Sequence, residues 1–361
     1  HASARRTWRY FADFVGPQDN WLPPDNFQQY PSPEVASRTS PTNIGMSLLA
    51  NLAAYDFGYI PAGELLRLTS NTLQAMEKLE RYRGHFYNWY DTRTLQPLHP
   101  QYVSAVDSGN LAGSLLTLQA GLAELKNQPV LTASTFTGLQ DTLQVLVEHL
   151  PASPDPELAQ KIQSLQHTLH AYSRPQPTPT ELPLAAADGL LEAMQLASAE
   201  LLASLPEDAD GELVYWAQAL EQQCRAMRED LRVLVAEPRQ FAGIPTLAGL
   251  AREPRVADAR PLLADYAAAE QRLCLIDDLL QRCRALAAMD FEFLYETNCG
   301  LLSIGYDVGE RRRDPSCYDL LASEARLTSF LLIAEGQVPQ KHWFSLGRQL
   351  TSHGDEVSLI S

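Results

Sequence analysis

An all-α chain with at most one short β-hairpin is what this sequence predicts, and three observations predict it. Apolar residues recur every three or four positions along most of the length, the period of a helix that buries one face. The breaks between these runs are rich in Pro, Gly, Asn and Asp, the residues that punctuate helices. Strict alternation, the mark of a half-buried strand, is confined to Phe291, Phe293 and Tyr295. Successive helical hairpins joined by elaborate loops fit an α/α toroid, in which inner and outer helices alternate and the loops at one end build a funnel-shaped site.

A short helix is expected around Arg5 to Phe14. The segment NWLPPDNFQQYPSPEVASRTSPTN follows, and its prolines forbid a regular helix or a central strand. So long a loop in a compact chain is unusual unless it is functional. Trp21, Asp25, Asn26, Arg38 and Asn43 are its candidate binding residues, with plain surface-loop roles as the alternative.

Ile44, Leu48, Leu52 and Tyr55 then lie on one helical face. A second helix follows Pro61, with Leu65, Leu68, Met76 and Leu79 inward and Gly84 able to end it. Beyond the loop HFYNWYDTRTLQPLHPQYVSAVDSGN, Asp107 or Ser108 can cap a third helix carrying Leu111, Leu115, Leu118, Leu122 and Leu125. Gly109, Ala112 and Gly113 on its first turns allow a neighbour or a ligand to approach closely.

Helical patterns at about 134–150, 155–172, 184–204, 211–234 and 261–289 are separated by Pro-rich breaks, notably SRPQPTPTELP. The alternating Phe291–Tyr295 run precedes a turn at Thr297 to Gly300, which reads as a hairpin. In the last helix Asp314 suits the N-cap and Pro315 the first helical position, and nothing from Ser316 to Glu335 interrupts it. Residues 356–361 read as the approach to another element, so the sequence is expected to stop inside a domain.

The formal charge of −16, with basic residues scattered apart from Arg311 to Arg313, argues against nucleic acid or an anionic membrane as main partner. Five cysteines without CxxC or Cys/His ligand spacing make a zinc site improbable, and neither a metal nor a cofactor is expected. No signal peptide is visible, and no apolar run approaches the ~18 residues that span a bilayer. There is no GxSxG, P-loop or GxGxxG, and His342 and His353 lack triad-like spacing.

Glu324 is the residue out of place. Leu320, Leu321, Leu327 and Leu331 share its helical face, and a carboxylate on an apolar stripe needs a partner or a raised pKa. A raised pKa suits a general acid. A structural salt bridge, to Arg326 or to Arg311–Arg313, is the other reading. Three loops carry the mixture of aromatic faces and amide, carboxylate and Arg groups that binds sugars: Trp21 to Asn43, His85 to Asn110 and Tyr306 to Asp319. Their further candidates are His85, Tyr87, Asn88, Trp89, Tyr90, Asp91, Tyr102, Asp107, Ser108 and Asn110, then Tyr306, Asp307, Tyr318 and Asp319.

The segments NWLPPDNFQ, RTSPTNIGMSLLA, GHFYNWYDTRTLQPLHPQYVSAVDSGNLAG, FLYETNCGLLSIGYDV and DPSCYDLLASEARLTSF resemble the glycoamylase-like domain of bacterial cyclic β-1,2-glucan synthases (NdvB-type). The resemblance is strongest over 19–125 and 291–361 and weakest over 127–260. It implies an (α/α)6 barrel between a membrane-embedded glycosyltransferase and a phosphorylase-like domain, on the cytoplasmic face of the inner membrane. It also implies the activity of cyclising linear β-1,2-glucan with anomeric retention, with the glucan chain and the parent's remaining domains as partners. Residues 19–125 would be the substrate-loop part, 126–260 a variable helical part and 261–361 the catalytic-acid part of an incomplete barrel. Glu324 in LLASEARL matches the family's general acid/base; the nucleophilic glutamate belongs to a later motif that these residues do not contain. A non-catalytic glucan-binding scaffold and an endo-β-1,2-glucanase are the alternatives.

Overall fold

The computed structural model describes residues 1–173, 183–252, 260–319, 323–347, 350–354 and 356–359. The described residues are mostly helical. The helices are α1 (Ala2–Phe14), α2 (Pro41–Asp56), α3 (Ala62–Met76), α4 (Ala105–Leu125), α5 (Ala133–Glu148), α6 (Pro156–Ser173), α7 (Leu184–Ala203), α8 (Gly211–Leu234), the single turn α9 (Leu247–Leu250), α10 (Arg260–Ala287), α11 (Ser323–Ala334) and α12 (Lys341–Ser345). The strands are two to four residues long and all paired antiparallel: β1 (Phe27–Gln28) with β2 (Glu34–Val35), β3 (Arg38–Thr39) with β6 (Tyr90–Asp91), β4 (Arg81–Tyr82) with β5 (His85–Phe86), β8 (Tyr295–Glu296) with β9 (Leu301–Leu302), and β12 (Leu350–His353) with β13 (Glu356–Leu359). One sheet has three strands, ordered β11 (Arg312–Arg313), β10 (Gly305–Asp307), β7 (Tyr102–Ser104).

Two compact units are present. The first takes His1–Tyr10, Ala50–Thr69 and Gly121–Leu279; the second takes Phe11–Leu49, Ser70–Ala120 and Leu280–Ser361. In the first, α5, α6, α7 and α8 form a four-helix bundle in which each helix packs on two others. The 3–4 spacing of their apolar residues supplies the core: Leu139, Leu146, Leu165, Leu169, Leu191, Met194, Leu220 and Leu231 are all buried. The start of α1 docks through Arg5, whose guanidinium lies between the Tyr59 and Trp216 rings and donates to Thr142 Oγ1 at 2.7 Å. Thr142 donates in turn to Gln223 Oε1, and Gln223 donates to the Gly58 carbonyl. A buried polar chain fully paired in this way fixes one packing of α1, α5 and α8.

In the second unit, β7 and β10 lay the loop before α4 beside the loop before α11. Gly305 opposes Ser104, Tyr306 opposes Val103 and Asp307 opposes Tyr102. The Tyr102 ring lies over Gly305, where any Cβ would fall 2.4 Å from it. His342 on α12 is fully buried, with Ser329 of α11 at 2.7 Å on Nε2 and the Gly300 carbonyl at 2.9 Å on Nδ1. It thus pins α11, α12 and the β8–β9 turn together.

Several helix ends differ from expectation, each for a local reason. α4 starts at Ala105, because Ser104 Oγ accepts the Asp107 N–H at 3.2 Å and so serves as the cap; Asp107 is released for other partners. Gly84 does not end α3. It sits in the β4–β5 turn with φ +86°. Residues 315–319 are not helical, and α11 is described from Ser323. Asp314 does accept a backbone N–H two residues on, from Ser316 at 2.9 Å, but that closes a turn. Cys317 then bridges to Ser303 in extended conformation. Leu320 and Leu321, like most of the break at 173–183, lie outside the described residues.

Candidate active site

All twenty site residues expected from the sequence fall in the second unit. The structure joins about half of them into one connected surface cluster. Arg38 donates to Asp25 Oδ2 at 2.9 Å and lies 4.8 Å over the Trp89 ring. Asn26 and Asn43 donate to the same carboxylate at 3.1 and 3.4 Å. The Asn88 carboxamide accepts the Trp89 indole N–H at 3.3 Å and donates to Asp107 Oδ2 at 3.0 Å, the orientation that satisfies both neighbours. Thr42 donates to Asp107 Oδ1 at 2.6 Å and accepts from Asn110 at 3.3 Å. Thr42 is in place because Ser40 and Pro41 start α2 as a cap and first residue, with Ser40 Oγ taking the Asn43 N–H.

Tyr318 connects this cluster to the candidate acid. Burial raises the pKa of its phenol, and the carboxylates of Asp107, Glu324 and Asp314 raise it further against a hydrogen bond with Ser104. Tyr102 is raised by burial first and then by Asp314, Tyr318 and Asp307. Tyr318 thus lies within the field of the Asp107, Glu324 and Asp314 carboxylates, and Tyr102 within that of Asp314 and Asp307. Thr42 and Asp314 were not singled out from the sequence. Thr42 precedes Asn43 in the helix-start SPTN, and Asp314 looked committed to a cap.

Glu324 does not lie on a buried apolar stripe. It is exposed, as are Leu327 (45%) and Phe330 (66%), while Ala325, Thr328, Ser329 and Leu332 form the buried face of α11. The helix is rotated relative to expectation because Thr328 and Leu327 seat against Gly109 and Gly113 of α4. Among the described residues no hydrogen bond or ion pair holds the Glu324 carboxylate, and Arg313 is bound to Glu296 instead.

The other expected ligands have structural employment. Tyr90 is fully buried, with its hydroxyl donating to the Glu80 carbonyl at 2.6 Å and accepting the Tyr87 N–H. Tyr87, 3% exposed, donates to Glu80 Oε1. Asp91 closes its own turn by accepting from Arg93, from the Thr94 N–H and from the Thr94 hydroxyl. Tyr306 projects to the opposite face of the sheet from Asp307 and Tyr102, where it stacks on Tyr82 at 5.6 Å and meets Phe293 edge-on. Asp307 accepts the Glu310 N–H. Trp21 is half-buried at φ +60°, its carbonyl taken by Thr72, and Asp319 is half-buried beside Tyr318 in sequence.

His85 and Ser108 support the site from beneath. His85 is fully buried against Phe291 and Phe293, with Nδ1 2.8 Å from Ser108 Oγ and Nε2 2.6 Å from the Asp290 carbonyl. Burial lowers its pKa from 6.5 to about 4. The folded value lies below the unfolded one, so the unfolded chain takes up the proton first as pH falls. Stability is therefore complete above pH 6.5 and is lost progressively towards pH 4. His342, lowered by burial as well, acts in the same direction. Calorimetry should show the second unit losing roughly 3 kcal/mol through His85 by pH 4, and less in His85→Gln, whose baseline stability is lower.

No family model matches the chain. Among solved structures, an endo-β-1,2-glucanase from Chitinophaga pinensis is 10% identical with a TM-score of 0.29, covering 78% of this chain and 95% of that one. A protein described as a candidate glucoamylase from Bacteroides fragilis NCTC 9343 is 14% identical with a TM-score of 0.30, covering 78% of this chain and 94% of that one. Scores at that level bear neither on function nor on fold. Sequence is more informative: the chain is 37% identical over 373 residues to the cyclic β-(1,2)-glucan synthase NdvB of Rhizobium meliloti (strain 1021). That match takes in 99% of this chain and 12% of the synthase. By sequence, then, the chain is a relative of the NdvB-type cyclic β-(1,2)-glucan synthases, of which it spans one segment.

Proposed function

We propose that this chain is the segment of a cyclic β-1,2-glucan synthase that transfers a glucan chain end onto the same chain's other end, closing the ring with anomeric retention. The observation that carries the reading is the 37% identity along nearly the whole chain. The geometry is compatible with a sugar chain. Trp89 offers a half-exposed face, Asp25, Asn88, Asp107 and Asn110 offer acceptors and donors for hydroxyls, and Glu324 is exposed with its charge felt by the Tyr318 phenol. In this scheme Glu324 gives its proton to the glycosidic oxygen as the bond breaks and takes one from the incoming hydroxyl as the new bond forms. Retention also needs a nucleophilic carboxylate about 5–5.5 Å away. The resemblance assigns that role to a motif beyond these residues, in a barrel of α/α hairpins that this segment helps to build at the cytoplasmic membrane face.

The test supplies linear β-1,2-glucan to a synthase containing this segment and follows products by mass spectrometry. Cyclic glucan, 18 mass units below the linear chain of equal length, is the expected product. Cyclisation also releases the leaving reducing-end piece as a shorter linear chain. Shortened linear chains without any cyclic glucan would therefore mean a hydrolase, and unchanged substrate would mean a binding scaffold. Either result overturns the proposal.

A further inference from the structure

We propose that His342 is a positioning residue: it holds α11, and with it Glu324, in fixed register with the β8–β9 hairpin that also holds Tyr318. The inference rests on the reading of Glu324 as general acid/base and deepens it. Among the described residues no hydrogen bond or ion pair grips the Glu324 carboxylate, so its place is set by how α11 is seated. Thr328 and Leu327 of that helix pack on Gly109 and Gly113 of α4. Such contacts are non-directional, and they set chiefly how closely α11 approaches α4. Ser329 supplies the directional contact. Its hydroxyl lies 2.7 Å from His342 Nε2, and both residues are buried. Ser329 follows Glu324 by five residues, about 7.5 Å along the axis of the same helix.

The other side of the imidazole reaches the hairpin. Nδ1 lies 2.9 Å from the Gly300 carbonyl in the β8–β9 turn, and the Tyr295 ring of β8 meets the imidazole edge-on at 5.9 Å. A carbonyl only accepts, so Nδ1 carries the proton and the neutral Nε2 accepts from the Ser329 hydroxyl. Burial favours that uncharged form. The ring therefore spans the two elements with one donor and one acceptor, both in use.

Tyr318 hangs from the same hairpin. Its N–H donates to the carbonyl of Leu302, on β9, at 3.3 Å. Tyr318, Leu302, Ser329 and His342 accordingly line one narrow cavity together with Ala325, the residue after Glu324. The contacts close a circuit from Glu324 along α11 to Ser329, through His342 to the hairpin, and back to Tyr318. If the imidazole is lost, the helix and the hairpin keep their apolar contacts but lose the bond that fixes their register.

The test measures cyclic product against linear β-1,2-glucan concentration in a synthase carrying this segment, with Ser329→Ala, His342→Phe and His342→Gln. Ser329→Ala and His342→Phe should each lower kcat by about tenfold or more while KM changes by about twofold or less, the mark of a misplaced reacting group. His342→Gln, whose carboxamide keeps one donor and one acceptor, should recover most of that loss. In a Glu324→Gln background the same substitutions should cost little more, because the acid they position is already gone. If His342→Phe does not fold, Ser329→Ala, which removes one hydroxyl, carries the test. An equal loss of rate in both backgrounds, a loss confined to KM, or a wild-type kcat in Ser329→Ala overturns the inference and leaves the reading of Glu324 standing. Near-normal turnover in Glu324→Gln alone overturns that reading and the inference with it.

Discussion

In a synthase carrying this segment, Glu324→Gln should lower transglycosylation of linear β-1,2-glucan by about 10²–10⁴-fold, the usual worth of a positioned general acid/base. Glutamine keeps the size and polarity of the side chain but cannot pass a proton. The carboxylate is exposed at the first turn of α11 and no hydrogen bond or ion pair among the described residues depends on it. The substitution should therefore leave folding intact, with a change of about 0.5 kcal/mol or less, as for other surface positions. Loss of rate at unchanged stability is what separates a chemical role from a structural one. The loss should fall on kcat with little change in KM, since the proton moves only as the bond breaks. Steady-state assays of cyclic product against substrate concentration measure both. Near-normal turnover in Glu324→Gln would remove this residue from the mechanism.

Gly109→Val should damage stability and rate together. Gly109 lies on the second turn of α4 at its crossing with α11, and a Cβ there would come within 2.0 Å of Thr328 Oγ1 and 2.5 Å of Thr328 Cβ. Thr328 is 1% exposed and β-branched, so it cannot turn aside and the helix itself must move. Overpacking of this kind costs about 1–3 kcal/mol. The helix that moves carries Glu324, and a shift of about 1 Å can cost ~10²-fold in rate. Denaturant unfolding and cyclisation assays read the two effects. Thr328→Ala should restore part of both in the double variant, since the clash lies between these two side chains. A Gly109→Val protein with wild-type stability would show that α11 does not sit against α4 as described.

Much of the fold was legible because long helices announce themselves locally. Predicted helices at 134–150, 155–172 and 211–234 appear at 133–148, 156–173 and 211–234, since each holds an unbroken apolar face bounded by Pro, Gly or a capping Asp. The two-residue strands were not legible. Pairs such as Arg38 with Asp91, or Tyr306 with Val103, depend on distant segments and have no periodicity to reveal them. The start of α11 was misplaced for the same reason. Asp314-Pro315 is a sound local signal, overridden when Cys317 is drawn into a bridge with Ser303.

The candidate site was half legible. Composition identified the aromatic loops but could not tell a tyrosine that meets solvent from one whose hydroxyl is paired inside. In HFYNWYD the burial splits within seven residues: His85, Tyr87 and Tyr90 go inward, and Asn88 and Trp89 remain accessible. Tyr306 was lost from the cluster by strand alternation, because its neighbour Asp307 shares a face with Tyr102 and it does not.

The central claim is that the Trp89–Asp107–Tyr318 surface binds β-1,2-glucan. Calorimetric titration of the chain with linear β-1,2-glucan tests it most directly, alongside Trp89→Ala, Asp107→Asn and a linear β-1,3-glucan of equal length. Binding of the β-1,2 chain should weaken by about tenfold or more in either variant, an ordinary cost for a stacking ring or a paired carboxylate at an interface, and the β-1,3 chain should bind less well. Equal affinity in the wild type and both variants would place the glucan elsewhere and contradict the account.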